Sequence, residues 1–86
     1  MNPRVEQVAV EPEHTLRLTF TNGERRSLRM SPYLDVPVYQ RLRDPAFFAL
    51  ARAAQGTVTW PGGIDFDPDT LYVDSIPLSA EAKAPA

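Results

Sequence analysis

The segment Trp60-Pro61-Gly62-Gly63-Ile64-Asp65-Phe66-Asp67-Pro68-Asp69-Thr70-Leu71-Tyr72 constrains the fold of this chain more than any other. It holds the only tryptophan, two of the four glycines and two of the nine prolines. A turn on Gly62-Gly63 must feed Ile64 and Phe66 inward while Asp65, Asp67 and Asp69 face out. Thr57-Val58-Thr59-Trp60 has the β-branched and aromatic content of a strand. Asp67-Pro68 joins a capping side chain to a proline at the first helical position, which predicts a short helical turn through Tyr72. Residues 73–78 then extend back to a sheet. In this reading Trp60, Ile64, Leu71 and Tyr72 anchor the core, and Pro61-Gly62-Gly63 and Asp67-Pro68 set the turns.

The early part of the chain reads as antiparallel strands. Leu16, Leu18 and Phe20 alternate with Thr15, Arg17, Thr19 and Thr21, the period of a half-buried strand. Asn22-Gly23 suits a two-residue hairpin with both central residues at positive φ. The return strand, residues 25–30, places Leu28 and Met30 on one face and Arg25, Ser27 and Arg29 on the other. Arg26 falls on the apolar face, where its stem covers the core edge and its head reaches water. Val5, Val8 and Val10 suggest a first strand, although the step from 5 to 8 breaks alternation, and Glu11-Pro12-Glu13 reads as a turn. Pro32 and Pro37 rule against a long strand between them, and residues 38–43 read as one loose helical turn.

Asp44-Pro45 repeats the cap-plus-proline pattern. Phe47, Phe48, Leu50, Ala51 and Ala54 follow as an apolar stripe, and Gly56 is a natural stop. This spacing predicts a helix over residues 45–55 lying across the hairpin. The fold class expected is α+β: a small antiparallel sheet packed against one main helix, one domain over residues 1–78, with a small, polar tail at 79–86.

At 86 residues the chain suits a single domain with a small core. It contains no cysteine, which removes disulfides and thiolate metal sites and permits a cytoplasmic location. No signal-like apolar core opens the sequence, and no run approaches the roughly 18 apolar residues of a membrane span. The net charge of −2 is unevenly spread. Residues 14–52 carry seven arginines against three acids, whereas the segments on either side are acidic. Folding of these segments against one another is expected to cancel most of that polarity.

Catalytic chemistry has little to draw on. His14 is the only histidine, so neither a nucleophilic triad nor a histidine-rich zinc site can be assembled. It sits at a turn, where an exposed and structurally neutral role is expected. Asp65, Asp67 and Asp69 alternate like the first ligands of a calcium loop. The match fails at the sixth position, Thr70 instead of glycine, and at the twelfth, Ile76 instead of glutamate. No metal, no cofactor and no enzymatic activity are expected. Arg17, Arg25 and Arg29 share the solvent face of the hairpin, as a nucleic-acid-reading β-ribbon would require. The acidic sequence pI near 5.2 and the lack of a recognition helix favour a charged outer face instead. Of the adjacent Phe47 and Phe48, pointing about 100° apart on a helix, one is left at the core margin. Phe48 and Tyr39, with the three arginines, are the residues expected to touch a partner.

Residues 56–72 resemble the hallmark of the bacterial domain-of-unknown-function family 2442. Trp60, Pro61, Asp65, Pro68, Leu71 and Tyr72 match its pattern of a strand ending in Trp-Pro, a small-residue turn, an Asp, and a Pro followed by Leu-Tyr. The hairpin at Asn22-Gly23-Glu24 and the Asp44-Pro45-x-Phe47 helix start fit as well, so the resemblance spans roughly residues 4–78. It implies an α+β domain and no catalytic residues. Members are small proteins suspected to act beside another small protein in toxin–antitoxin-like pairs. The expectation is a non-catalytic interaction module with a protein partner or self-association. A nucleic-acid-binding regulator is the alternative.

Overall fold

A computed structural model of the chain describes residues 2–78. The expected tail at 79–86 lies outside them. Among the described residues seven strands form two antiparallel sheets, and two short α-helices and two 3₁₀ segments connect them. β1 (Val5–Glu11), β2 (Thr15–Phe20), β3 (Arg25–Arg29) and β7 (Ile76–Pro77) lie in that order in the first sheet. β4 (Arg52–Ala54), β5 (Thr57–Trp60) and β6 (Ile64–Asp65) form the second. The helices are α1 (Pro45–Phe48) and α2 (Pro68–Val73). The α+β class therefore holds in its coarse form, a mixed fold with antiparallel sheets and little helix.

The broken alternation in β1 has a physical cause. Val5 pairs with Phe20 and Gln7 with Thr19, so Glu6 is an extra residue in a bulge. The bulge restores phase, and Val5, Val8 and Val10 all reach the core cluster. The Asn22-Gly23 turn differs from expectation. Phe20 N–H bonds to the Glu24 carbonyl (2.8 Å) and Gly23 N–H to the Phe20 carbonyl (2.9 Å), closing a three-residue loop. Only Gly23 takes positive φ, at +88°. The Asn22 side chain instead accepts from the Glu24 N–H at 3.0 Å, which steadies the turn without a left-handed Asn.

The one main helix is the larger correction. α1 ends at Phe48, and residues 52–54 form a strand. A continuing helix would need the Phe48 carbonyl for the Arg52 N–H. That carbonyl instead accepts from the Trp60 indole Nε1–H at 3.0 Å and from the Ala51 N–H at 3.2 Å. Gln55 and Gly56, at φ +53° and +81°, make the two-residue hairpin turn that joins β4 to β5. Gly56 is thus a hairpin residue and not a helix stop. The alanine-rich helix propensity of residues 49–54 yields to pairing with β5.

One core joins the sheets. Leu16, Leu18, Phe20, Leu28 and Met30 contribute from the first sheet and the residue after it. Val58, Trp60 and Ile64 contribute from the second, and Leu34, Leu42, Phe48, Phe66 and Leu71 from the connections. Trp60 packs on Phe48 with ring centroids 5.8 Å apart, and the buried Thr57 hydroxyl donates to the Phe66 carbonyl. Val5 N–H reaches the Gly56 carbonyl at 2.9 Å, stitching β1 to the second sheet.

Candidate functional site

Strand register lays out the face of the first sheet that points away from the core as a grid. One row is Gln7, Thr19 and Arg25; the next is Ala9, Arg17, Ser27 and Ile76; the third is Glu11, Thr15 and Arg29. Arg17, Arg25 and Arg29 are therefore brought onto one surface. Arg17 Nη2 pairs with Glu11 Oε2 at 2.8 Å, and Arg29 Nη2 with Glu13 Oε1 at 3.6 Å. Arg25 is exposed and makes no ion pair among the described residues. The middle row is built from small residues on either side of Arg17, and two depressions flank it. One is lined by Gln7, Val8, Ala9, Arg17, Thr19 and Arg25, the other by Thr15, Ser27, Arg29 and Ile76. Ile76 is 54% exposed.

The aromatic candidates lie elsewhere. Phe48 is 2% exposed and belongs to the core, against the expectation of a marginal partner-facing ring. The short α1 turns it under His14 and Trp60, so it has no surface to offer. Phe47 is the half-buried member of the pair, with the Arg41 guanidinium 4.3 Å above its ring. Tyr39 is half-buried against Phe66, and its hydroxyl donates to the Asp65 carbonyl at 3.3 Å. Burial, and then the charges of Asp65 and Asp67, push its pKa up.

The hallmark segment is occupied with structure. Trp60 and Leu71 are buried, while Pro61 and Asp65 are exposed and Pro68 opens α2. Asp67 caps that helix, accepting from Thr70 Oγ1 at 2.8 Å and from Thr70 N–H at 3.1 Å. The Thr70 hydroxyl, followed by the backbone, lowers the Asp67 pKa. Asp69 faces Arg4 at 4.0 Å. The three aspartates thus diverge. Among the described residues no group of three or more acidic or histidine side chains is placed to hold a metal ion.

Two polar clusters are absent from the sequence reading. Arg26 sends its head inward: Nε donates to Ser75 Oγ and Nη2 to the Ser75 carbonyl, both at 2.7 Å, and Nη1 meets Glu24 at 3.1 Å. Its guanidinium lies 4.5 Å from the Tyr72 ring centre, and the Tyr72 hydroxyl donates to Glu24. That bond lowers the Glu24 pKa and raises that of Tyr72. The Arg26 side chain is only 12% exposed, so the expected wet head is a largely enclosed tie. A charged residue at a core-facing strand position was the available signal. His14 likewise has a structural role. Its Nε2–H donates to the Arg43 carbonyl at 3.1 Å and its ring packs on Phe48 at 4.9 Å.

The family profile described as "Protein of unknown function (DUF2442)" matches residues 5–77. The chain belongs to the DUF2442 family. In this DUF2442 domain the matched span runs from the first residue of β1 to the last residue of β7, so it takes in both sheets. No curated protein and no solved structure matches the chain. No helix among the described residues is long and apolar enough to cross a membrane.

Proposed function

We propose that the protein is a non-catalytic interaction module whose outer sheet face receives a second small protein, in the manner of an antitoxin-like partner. The observation that carries this reading is the grid of Arg17, Arg25 and Arg29 around the small residues Ala9 and Ser27, with Ile76 exposed at its edge. Arginine beside an exposed apolar side chain is the composition that protein interfaces favour. The engagement of Asp67 as a helix cap supports a non-catalytic role, because it withdraws a central carboxylate from acid–base work. A cytoplasmic location belongs to the same reading and rests on the absence of cysteine.

The test is binding, by calorimetry and size-exclusion chromatography, between this protein and the products of its neighbouring genes. A stoichiometric complex weakened by Ile76→Asp and Arg29→Glu is expected. Complexes indifferent to both substitutions, or no complex at all, would remove the reading. Nucleic acid is the second partner class. Glu11 and Glu13 stand beside two of the three arginines, which weakens attraction for a polyanion. Steeply salt-dependent retardation of an oligonucleotide would reinstate it.

A further inference from the structure

We infer that the depression between Arg17 and Arg25 is a seat for a single carboxylate, an aspartate or glutamate side chain of the partner. This deepens the interaction reading and rests on it. The depression has a volume of about 100 Å³ and is lined by Gln7, Val8, Ala9, Arg17, Thr19 and Arg25. Thr19 and Arg25 face one another across β2 and β3, and Ala9 and Arg17 do so across β1 and β2. Two guanidinium groups, one hydroxyl and one amide therefore surround it, and none of its side chains carries a negative charge. Ala9 contributes only a methyl group, which leaves the floor open.

The arginines retain donors to offer. Arg17 commits Nη2 to Glu11, while its Nε is enclosed and has no hydrogen-bond acceptor among the described residues. A buried donor without an acceptor is uncommon in a folded protein, and a small shift of the guanidinium toward a bound carboxylate would supply one. Arg25 pairs with no carboxylate among the described residues. A carboxylate is acceptor-only, with enough lone pairs to take bonds from both guanidinium groups and from the Thr19 hydroxyl. The small volume suits one such group better than a nucleotide. Glu11, in the third row, and Glu13, in the turn beyond it, disfavour a continuous phosphate chain while leaving space for an isolated acid.

The experiment uses the full chain labelled with ¹⁵N and three probes: a capped tri-glutamate peptide, its tri-glutamine counterpart, and a short single-stranded oligonucleotide. The tri-glutamate peptide should move the Arg17 and Arg25 Nε–Hε resonances and the Thr19 amide saturably, and tri-glutamine should not. Arg25→Gln should weaken that binding about fivefold or more, and Arg25→Lys should restore only part of it because the forked geometry is lost. Leu50→Ala, at an exposed position between α1 and β4, should leave it unchanged. If no peptide shifts these resonances while the partner complex still responds to Ile76→Asp, the carboxylate seat is overturned and the interaction reading survives. If both responses are absent, both fail. Stronger binding of the oligonucleotide, with shifts spread over all three arginines, overturns the seat in favour of nucleic acid.

Discussion

Replacing Trp60 separates a structural from a partner-binding role for the family hallmark. The indole is 3% exposed, packs on Phe48 and donates to the Phe48 carbonyl at 3.0 Å. Truncation to alanine at such a site costs about 3–5 kcal/mol through lost burial and the cavity left behind. Trp60→Phe keeps a ring and loses one hydrogen bond, worth about 0.5–1.5 kcal/mol. The Phe48 carbonyl would keep its bond from the Ala51 N–H, so it is not orphaned. With the smaller ring also leaving space, the total for Trp60→Phe comes to about 2 kcal/mol. A domain of this size has roughly 4–13 kcal/mol of stability, so the alanine variant removes a large share of it. The assay is urea denaturation followed by far-ultraviolet circular dichroism, because the only tryptophan is lost with the substitution. With a slope near 1 kcal/mol/M, the midpoint should fall by about 2 M for phenylalanine and 3 M or more for alanine. A cooperative Trp60→Ala transition within about 1 kcal/mol of the parent would refute the anchoring role.

Stability should fall at both ends of the pH scale. Asp67 and Glu24 have lowered folded pKa values, so their contributions are present above the ordinary carboxylate range near 4 and fade as pH falls through it. Tyr72 and Tyr33 are raised, the latter to about 12 by burial and then by its bond to Asp74. Their contributions are complete below about pH 10 and fade as pH rises above it. Urea midpoints measured across pH should be flat in between, with Asp67→Asn shrinking the acid limb and Tyr33→Phe the alkaline one. Phe48→Ala should cost about 3–5 kcal/mol and Phe47→Ala clearly less, since only Phe48 is fully enclosed, which thermal melts would rank. Gly62→Ala should cost about 1 kcal/mol, from its positive φ of +88°. The new methyl would stand 2.9 Å from Arg41 Nη1, the movable end of a flexible side chain. An unchanged melting temperature would show that the turn can relax.

The strands were legible because their alternation is strong. Leu16, Leu18 and Phe20 define β2 without help, and Asp67-Pro68 announces α2 by its own chemistry. The helix over residues 45–55 misled for a definite reason. Its Ala-rich stretch carries local helix preference, whereas the strand there depends on a partner five residues ahead and on an indole that captures the Phe48 carbonyl. Local propensity cannot register either contact. Turn chemistry misled in a related way: Asn22-Gly23 allowed two hairpin geometries, and the stricter one appeared at Gln55-Gly56. On the outer face, alternation was enough to put Arg17, Arg25 and Arg29 together. Their unequal state was not legible, because it follows from the folded positions of Glu11 and Glu13, which pair with two of them, while Arg25 makes no ion pair among the described residues. Arg26 was visible only as an anomaly, a charge at an inward position. Its partner Ser75 is 49 residues away.

The stitch between Val5 and Gly56 bears on the order of assembly. β1, β2 and β3 form one local meander, joined by short loops, and β4, β5 and β6 form another. Contacts within each are close in sequence and carry a small loop-closure cost, whereas the stitch spans about three-fifths of the chain. Docking of two preformed meanders is therefore the expected barrier, with β1 as the element that must find its second neighbour. Substitutions at the seam, such as Val5→Ala, should slow refolding in stopped-flow measurements. Those inside the second meander, such as Val58→Ala, should do so only if that meander is already built at the barrier. Equal acceleration of unfolding by both, with refolding untouched, would place the docking after it.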